Sequence, residues 1–315
     1  MRVATWIGTF KVGRISPQSI KSNRIMIYHQ PMFRILGDTA LNIEFGDETS
    51  IALNFRILAL DISLRANPPY GLVETNPQVR TLGIVFNPLV TTRDKLIAEL
   101  QELIESDGKV ANLPSRKMTI PALYDDPWSR ECAEAFGVGN NMKYIAEFNN
   151  MTPEQVIEAH TASDYWVTGV GFVPGAFMSY AMDPRQRIGA PLYRTPRSWT
   201  HSRLLNFGGT TSTIYPIRVP GGGQLFGRTP INIFEPQQKN AVFAGGPVLA
   251  RAGDRHRYRA IARDEYDHIR ELVEAGIYEY QVEEDSFDCA QYIAWLESLG
   301  EAAEKTDLNS SWSLA

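Results

Sequence analysis

The string Gly221-Gly222-Gly223-Gln224-Leu225-Phe226-Gly227-Arg228-Thr229 comes nearest, in this sequence, to a known chemical device. From Gly222 onward it misses a phosphate-binding P-loop by one residue, with Arg228 in the lysine position. A working P-loop opens a helix whose N-terminal amides hold the phosphate. Here Pro230-Ile231-Asn232-Ile233-Phe234 follows, with the pattern of a strand, which argues against ATP binding. What remains is a glycine turn whose amides line a pocket, with Arg228 reaching an anion or a carboxylate, or a tight turn between barrel strands. His160 ends a helical run just before Thr161 and Asp164. It fits a histidine interacting with a helix C-terminus, and it also fits a general base partnered by Asp164. Gly169-Val170-Gly171-Phe172-Val173-Pro174-Gly175 is a strand ending in a kinked loop, where glycines allow the backbone to approach a ligand. His29, His201, His256 and His268 show no metal-ligand spacing, and no Gly-x-Ser-x-Gly elbow occurs.

These groups need a scaffold. Residues 1–31 form an N-terminal appendage, with Arg24–Tyr28 as a candidate edge strand. Phe33–Leu36 and Leu41–Phe45 are strand-like around the Gly37-Asp38 turn. Ser50–Arg65 has helical spacing at Ile51, Phe55, Leu58 and Ile62, and Asn67-Pro68-Pro69 stops it. Gly71–Thr75 and Leu82–Phe86 are strands, Thr92 caps a helix to Glu105, and Met118–Leu123 is a further strand. The order strand, helix, strand, strand, helix, strand predicts a small ferredoxin-like α+β domain over 32–124. Residues 125–162 form a helical connector, opened by Asp126-Pro127 and again by Thr152-Pro153. Between Tyr165 and Gly253 lie 13 of the 24 glycines and many short apolar runs, among them Trp166–Phe172, Arg203–Phe207, Thr213–Val219, Leu225–Phe226 and Ile231–Phe234. That pattern predicts a closed or sandwich-like β domain over 163–262. Residues 263–315 form a C-terminal helical segment, with helices at Glu265–Ala275 and Asp285–Gly300 and a frayed polar tail from Glu301.

Composition narrows the class. The 315 residues are 43% hydrophobic and 21% charged, with a net charge of −5, so a nucleic-acid or anionic-membrane partner is not indicated. Two cysteines, Cys132 and Cys289, exclude a disulfide scaffold and a thiolate metal cluster. No apolar run has signal-peptide or membrane-span length, and a cytoplasmic protein is expected. There is no biotin-attachment Met-Lys-Met; the nearest string is Arg116-Lys117-Met118.

Taken in order, several strings resemble the allophanate hydrolase subunit 1 family, also called the KipI or 5-oxoprolinase B-subunit family. The same module forms half of the carboxyltransferase domain of urea carboxylase. The matching pieces are Leu36–Leu41, Glu44-Phe45-Gly46, Gly71–Glu74, His160-Thr161, Gly169–Gly175, Pro220–Thr229 and Ala252–Arg255. Asp125-Asp126-Pro127, Asp183-Pro184-Arg185 and Tyr193–Thr200 are similar to segments of the urea carboxylase branch. The resemblance spans roughly residues 32–300 and gives no counterpart for residues 1–31.

The resemblance implies a mainly antiparallel, cyclophilin-like β-barrel domain following the smaller α+β domain. It implies a carboxyltransferase subunit of a multisubunit biotin-dependent carboxylase, moving a carboxyl group from carboxybiotin to urea, guanidine or a related amide. Carboxybiotin would be presented by a partner and not held covalently by this chain. The implied partners are a subunit similar to allophanate hydrolase subunit 2 (KipA-like), with biotin carboxylase and biotin carrier subunits. Two other roles stand beside it: a subunit of an ATP-dependent 5-oxoprolinase or related lactam hydrolase, and a KipI-like inhibitor of a histidine kinase. Residue type and matched position give His160, Asp164 and Arg228 as catalytic candidates. Gly169, Gly171, Arg197, Gly221, Gly222, Gln224 and Thr229 are the substrate-binding candidates. No metal is expected.

Overall fold

The computed structural model describes residues 27–106 and 110–300. Most of the expected appendage and the polar tail from Glu301 lie outside the described residues. The first sheet contains β1 (Ile27–Leu36), β2 (Ala40–Gly46), β3 (Leu72–Pro77) and β4 (Thr81–Phe86). Its order is β1-β2-β4-β3, antiparallel throughout. Two helices, α1 (Ile51–Ala66) and α2 (Arg93–Ser106), supply the other half of its core. Alternate strand residues Leu41, Ile43, Phe45, Leu82, Ile84 and Phe86 pack with Leu53, Ile57, Leu60, Leu64, Leu96 and Leu100 of the helices. Ser50 caps α1 by accepting from the amide of Leu53, and Thr92 caps α2 through the amide of Lys95.

Two sequence expectations change here. β1 runs across the boundary drawn at residue 32, so residues 27–31 belong to the sheet. The strand after α2, β5 (Asn112–Tyr124), does not return to this sheet. The place beside β2 is taken by β1, so the sheet has four strands but not the strand after α2 that would complete the expected ferredoxin-like unit.

β5 instead founds the second sheet, and it is reached from three sides. β13 (Arg255–Ala260) pairs with it in parallel, β14 (Val282–Asp288) pairs antiparallel along its first half, and β12 (Gln224–Arg228) meets it at Leu123 and Tyr124. The remaining members are β6 (Asp164–Val170), β7 (Phe177–Ala181), β9 (Leu204–Gly208) and β10 (Thr211–Ile214). The order is β12-β9-β10-β7-β6-β13-β5-β14, and the β12–β5 pairing turns it back on itself. A separate ribbon joins β8 (Arg197–Thr200) to β11 (Val219–Gly221).

Between β5 and β6 the chain carries three helices, α3 (Pro127–Ala135), α4 (Asn141–Phe148) and α5 (Pro153–Ala162). Asp126, Asn140 and the Thr152/Gln155 capping box start them. The C-terminal segment carries α6 (Arg263–Ala275) and α7 (Cys289–Leu299), but it is not purely helical, because β14 lies between them. Phe287, expected in a helix, is in that strand. Ile231–Phe234 is not a strand either; it forms one bridge, between Phe234 and Val248, and buries Ile231 and Ile233.

Where the two layers meet, Asn54 of α1 is fully buried. Its Nδ2 donates to the carbonyls of Gln78 (2.9 Å) and Thr168 (3.1 Å). Around it Phe55, Trp166, Phe287 and Tyr292 make an aromatic cluster that ties α1, β6, β14 and α7 together.

Candidate functional site

The glycine loop is built from β11 and the start of β12, with β8 alongside. Gly221 stands opposite Arg197 in the β8–β11 ribbon. A Cβ on Gly221 would lie 2.0 Å from the Tyr215 hydroxyl, and one on Gly223 would lie 2.1 Å from Oδ1 of Asn206. Glycine is therefore needed at both positions by protein packing, without any ligand. The Gly222 carbonyl accepts from the amide of Tyr193 at 2.8 Å, and the Gly223 amide donates to the Tyr215 hydroxyl at 3.4 Å.

Arg197 is the functional group most strongly focused on this loop. Its side chain is buried, its Nη2 donates to the Gly223 carbonyl at 2.7 Å, and its Nε donates to Thr200 Oγ1 at 3.3 Å. The guanidinium lies 5.3 Å from the Tyr193 ring centroid, while Nη1 is buried without a hydrogen-bond partner. Gln224 also sits here, donating to the Pro191 carbonyl at 2.9 Å and leaving Oε1 buried and unpartnered. Arg197, Gly221, Gly222 and Gln224 are thus brought together. Arg197 Nη1 and Gln224 Oε1 are both buried near this loop without a close hydrogen-bond partner, and a guanidinium and an amide oxygen are the group types that recognise a planar carboxyl or amide.

Arg228 and Thr229 lie at the far end of β12. Arg228 Nε donates to the Ser202 carbonyl at 3.1 Å, and its guanidinium stacks 4.1 Å from the centroid of Trp128. Burial lowers its pKa, while the Tyr266 hydroxyl and the Asp126 carboxyl group work the other way. Asp126 holds Trp128 in place: Oδ1 accepts from the amides of Trp128 and Ser129, each at 3.0 Å. Thr229 is fully buried and faces inward, its Oγ1 accepting from the amide of Ile231. A strand, not a helix, carries Gly227 and Arg228, so the helix that a P-loop requires is not present at this loop.

His160 is enclosed in the interior of the second sheet. The hydroxyl of Tyr124 lies 2.7 Å from Nδ1 and that of Ser212 lies 3.3 Å from Nε2, while Tyr165, Phe207, Phe226 and Tyr258 wall the ring. Burial depresses its pKa to about 3, so the imidazole is neutral. That removes the expected charge–dipole interaction at the end of α5. The ring also has no exposed edge from which to take a substrate proton. Asp164 is not its partner: its Oδ1 accepts from Arg257 Nε at 2.5 Å.

Gly169 and Gly171 lie away from the glycine loop, at the junction with the first sheet. A Cβ on Gly169 would sit 2.4 Å from the carbonyl oxygen of Pro77, whereas one on Gly171 would be 3.6 Å from Gln78 Nε2. The close approach that Gly169 permits is to β3. The sequence candidates therefore fall at separate places, and only four of them converge.

The sequence reading did not single out Arg203, Tyr266 and Arg270, which gather near Arg228. Arg203 adopts a left-handed backbone (φ +68°) between β8 and β9, which no local signal marked. Among the described residues no group of three or more His, Cys, Asp or Glu could hold a metal ion, and no helix is long and apolar enough to cross a membrane.

Residues 31–244 match the carboxyltransferase domain, subdomain C and D, a module spanning most of the chain. The chain belongs to this family. It is 27% identical over 246 residues to the B-subunit of 5-oxoprolinase from Bacillus subtilis (strain 168), covering 75% of this chain and 95% of that one. It is 25% identical over 302 residues to urea amidolyase of Saccharomyces cerevisiae, covering 91% of this chain but only 16% of that protein. The crystal structure of Kluyveromyces lactis urea carboxylase shares the fold, with a TM-score of 0.77 and 24% identity over 88% of this chain and 27% of that one. The chain thus spans nearly all of the bacterial protein and a small part of the yeast enzymes. These relatives are enzymes or enzyme subunits.

Proposed function

We propose that this chain is one half of a carboxyltransferase that moves a carboxyl group from carboxybiotin to urea, guanidine or a related amide. The second sheet would be its cyclophilin-like half, with the other half supplied by a subunit similar to allophanate hydrolase subunit 2. The observation that carries this reading is the match of residues 31–244 to the carboxyltransferase domain; the Arg197 guanidinium, held on the Gly223 carbonyl of the glycine loop, is the group that supports it in the fold.

Carboxybiotin, when presented by a carrier subunit, would supply the carboxyl group. Arg197 would orient that group and offset its charge, and Gln224 Oε1 would accept from the amide N–H of the acceptor. Tyr193, Tyr215 and the packed glycines would keep water from the released carboxyl group. The N–C bond that holds the carboxyl group on biotin would break and a new N–C bond would form at the acceptor nitrogen, whose proton would pass through a base to the biotin ureido nitrogen. The base is assigned to the partner, because His160 is enclosed and Asp164 is held by Arg257.

A second reading, a subunit of an ATP-dependent lactam hydrolase, is favoured by the match over 95% of the B. subtilis 5-oxoprolinase B-subunit. One reconstitution separates the two. The chain is combined with a subunit 2-like partner, biotin carboxylase and a biotinylated carrier, and ATP-dependent fixation of labelled bicarbonate into urea or guanidine is followed. Fixation supports carboxyl transfer. Biotin-independent, ATP-dependent opening of 5-oxoproline, without fixation, supports the second reading.

A further inference from the structure

Apart from the Arg197 loop, a cavity of about 610 Å³ opens between the segment after β10, the Asn232–Lys239 segment and α6. Four cationic side chains (Arg203, Arg218, Lys239 and Arg270) and two carboxylates (Glu235 and Glu274) line it. Both carboxylates are already engaged. Glu274 accepts from Arg270 Nε at 2.7 Å, and Glu235 accepts from Asn240 Nδ2 at 2.9 Å. Arg203 donates to the Pro230 carbonyl at 3.2 Å and Arg218 stacks 4.5 Å from the Trp199 centroid. Neither arginine has an ion-pair partner within 4.0 Å among the described residues.

The cations are also crowded. Burial lowers the Arg203 pKa to about 10; the Arg228 and Arg270 charges push it the same way, and Tyr266 and the Glu274 carboxylate offset this only in part. The Tyr266 hydroxyl, buried and without a hydrogen-bond partner, lies within the field of Arg203, Arg228 and Arg270. Like charges gathered together destabilise one another, most where one of them, Arg203, is desolvated, and a bound anion relieves that repulsion. The volume suits a metabolite-sized ligand, and guanidinium forks match the geometry of carboxylate and phosphate oxygens.

We propose that this cavity binds a small organic anion through its carboxylate or phosphate group. The site is independent of the carboxyl-transfer reading, since it needs neither the partner nor biotin.

The test is calorimetric titration of the full chain at constant ionic strength with sodium malonate, with sodium phosphate and with malonamide, the uncharged counterpart of malonate. Saturable binding of malonate, phosphate or both is expected, with none of malonamide; the tighter of the two identifies the oxyanion. Arg218→Gln, at an exposed side chain, should weaken binding roughly tenfold, as loss of one charge-assisted contact does, with only the small drop in melting temperature that losing its stack on Trp199 entails. Arg203→Gln should weaken it further; if that variant unfolds, Arg218→Gln carries the test alone. Absence of saturable binding by the wild type, or equal affinity in Arg218→Gln, overturns the proposal. So does binding of polyglutamate that neither small anion displaces, which would assign the cavity to an acidic protein segment.

Discussion

Trp166 donates its indole N–H to Oδ1 of Asn54 at 2.8 Å, in a fully buried contact that joins β6 of the second sheet to α1 of the first. Asn54 is then satisfied on every side, because its Nδ2 holds the carbonyls of Gln78 and Thr168. One amide thus fixes the relative position of the two layers.

Asn54→Leu keeps the approximate volume but leaves the Trp166 N–H and two carbonyls without partners in a dry interface. The expected cost is on the order of 3 kcal/mol, from stranded polar groups. Urea unfolding of the variant measures it. A loss below about 1 kcal/mol, typical of a surface change, would mean that water reaches the junction.

Gly169→Ala and Gly171→Ala form a matched pair. The first forces a Cβ to 2.4 Å from the Pro77 carbonyl and should lower the melting temperature by several degrees; the second meets only an ordinary contact at 3.6 Å and should be tolerated. Equal melting temperatures for the two variants would show that the layers can separate at β3 without cost.

The enclosure of His160 has a pH signature. Its folded pKa is depressed to about 3, from an ordinary value near 6.5 in the unfolded chain. Between these values the unfolded chain takes up a proton that the folded chain does not. Stability from this group is therefore full above about pH 6.5 and is lost as pH falls toward 3, at up to ~1.4 kcal/mol per unit. His160→Gln should remove that slope. The measurement is the difference between wild-type and variant urea stability at pH 7, 6 and 5. Parallel curves would mean that the imidazole charges within the fold.

Arg197→Lys retains the charge and loses the planar fork. If Arg197 orients the transferred carboxyl group, turnover in the reconstituted system should fall ~10²–10³-fold, the usual cost of one misplaced donor at an oxyanion. Thermal unfolding is followed alongside. Intact turnover with a lowered melting temperature would confine Arg197 to holding the Gly223 carbonyl.

Arg228→Met tests the charged residue of the glycine string itself. With its guanidinium stacked on Trp128 and hydrogen-bonded to the Ser202 carbonyl, the side chain supports the end of β12. The variant should lose roughly 1–2 kcal/mol of stability, in line with a partly desolvated cation–π contact. Turnover near the wild-type value would accompany that loss; a turnover drop at unchanged stability would return Arg228 to the reaction.

What the sequence made legible was mostly local. Ser50, Thr92, Thr152 and Asp126 mark helix starts through their own side chains, and each cap forms. The destination of β5 was not legible. Its apolar alternation satisfies either sheet, and the choice depends on β13 and β14, far along the chain. Ile231–Phe234 alternates like a strand yet forms a single isolated bridge, to Val248, and one further backbone bond, from the Leu249 amide to the Ile233 carbonyl, so pattern without a full ladder partner gave the wrong element. The glycines misled in a specific way. Gly169, Gly221 and Gly223 do mark close approach, but what approaches is Pro77, Tyr215 and Asn206. Arg197 was identified by position, whereas its unused Nη1 is a property of tertiary packing alone.

The parallel β5–β13 pairing joins Lys117–Ala122 to Arg255–Ala260, and β14 covers the other edge only after Val282 has been made. On a ribosome, β5 therefore emerges long before β12, β13 or β14, with its carbonyls and its amides, other than at Pro114 and Pro121, open. Such an unpaired, apolar strand invites association with other chains until its late neighbours arrive. The fold as a whole pays its loop-closure entropy late, so it matures slowly and as a unit. Synthesis beside a protective binding protein, or truncation that leaves β13 and β14 in place, would govern recovery of soluble material more than the stability of the finished molecule.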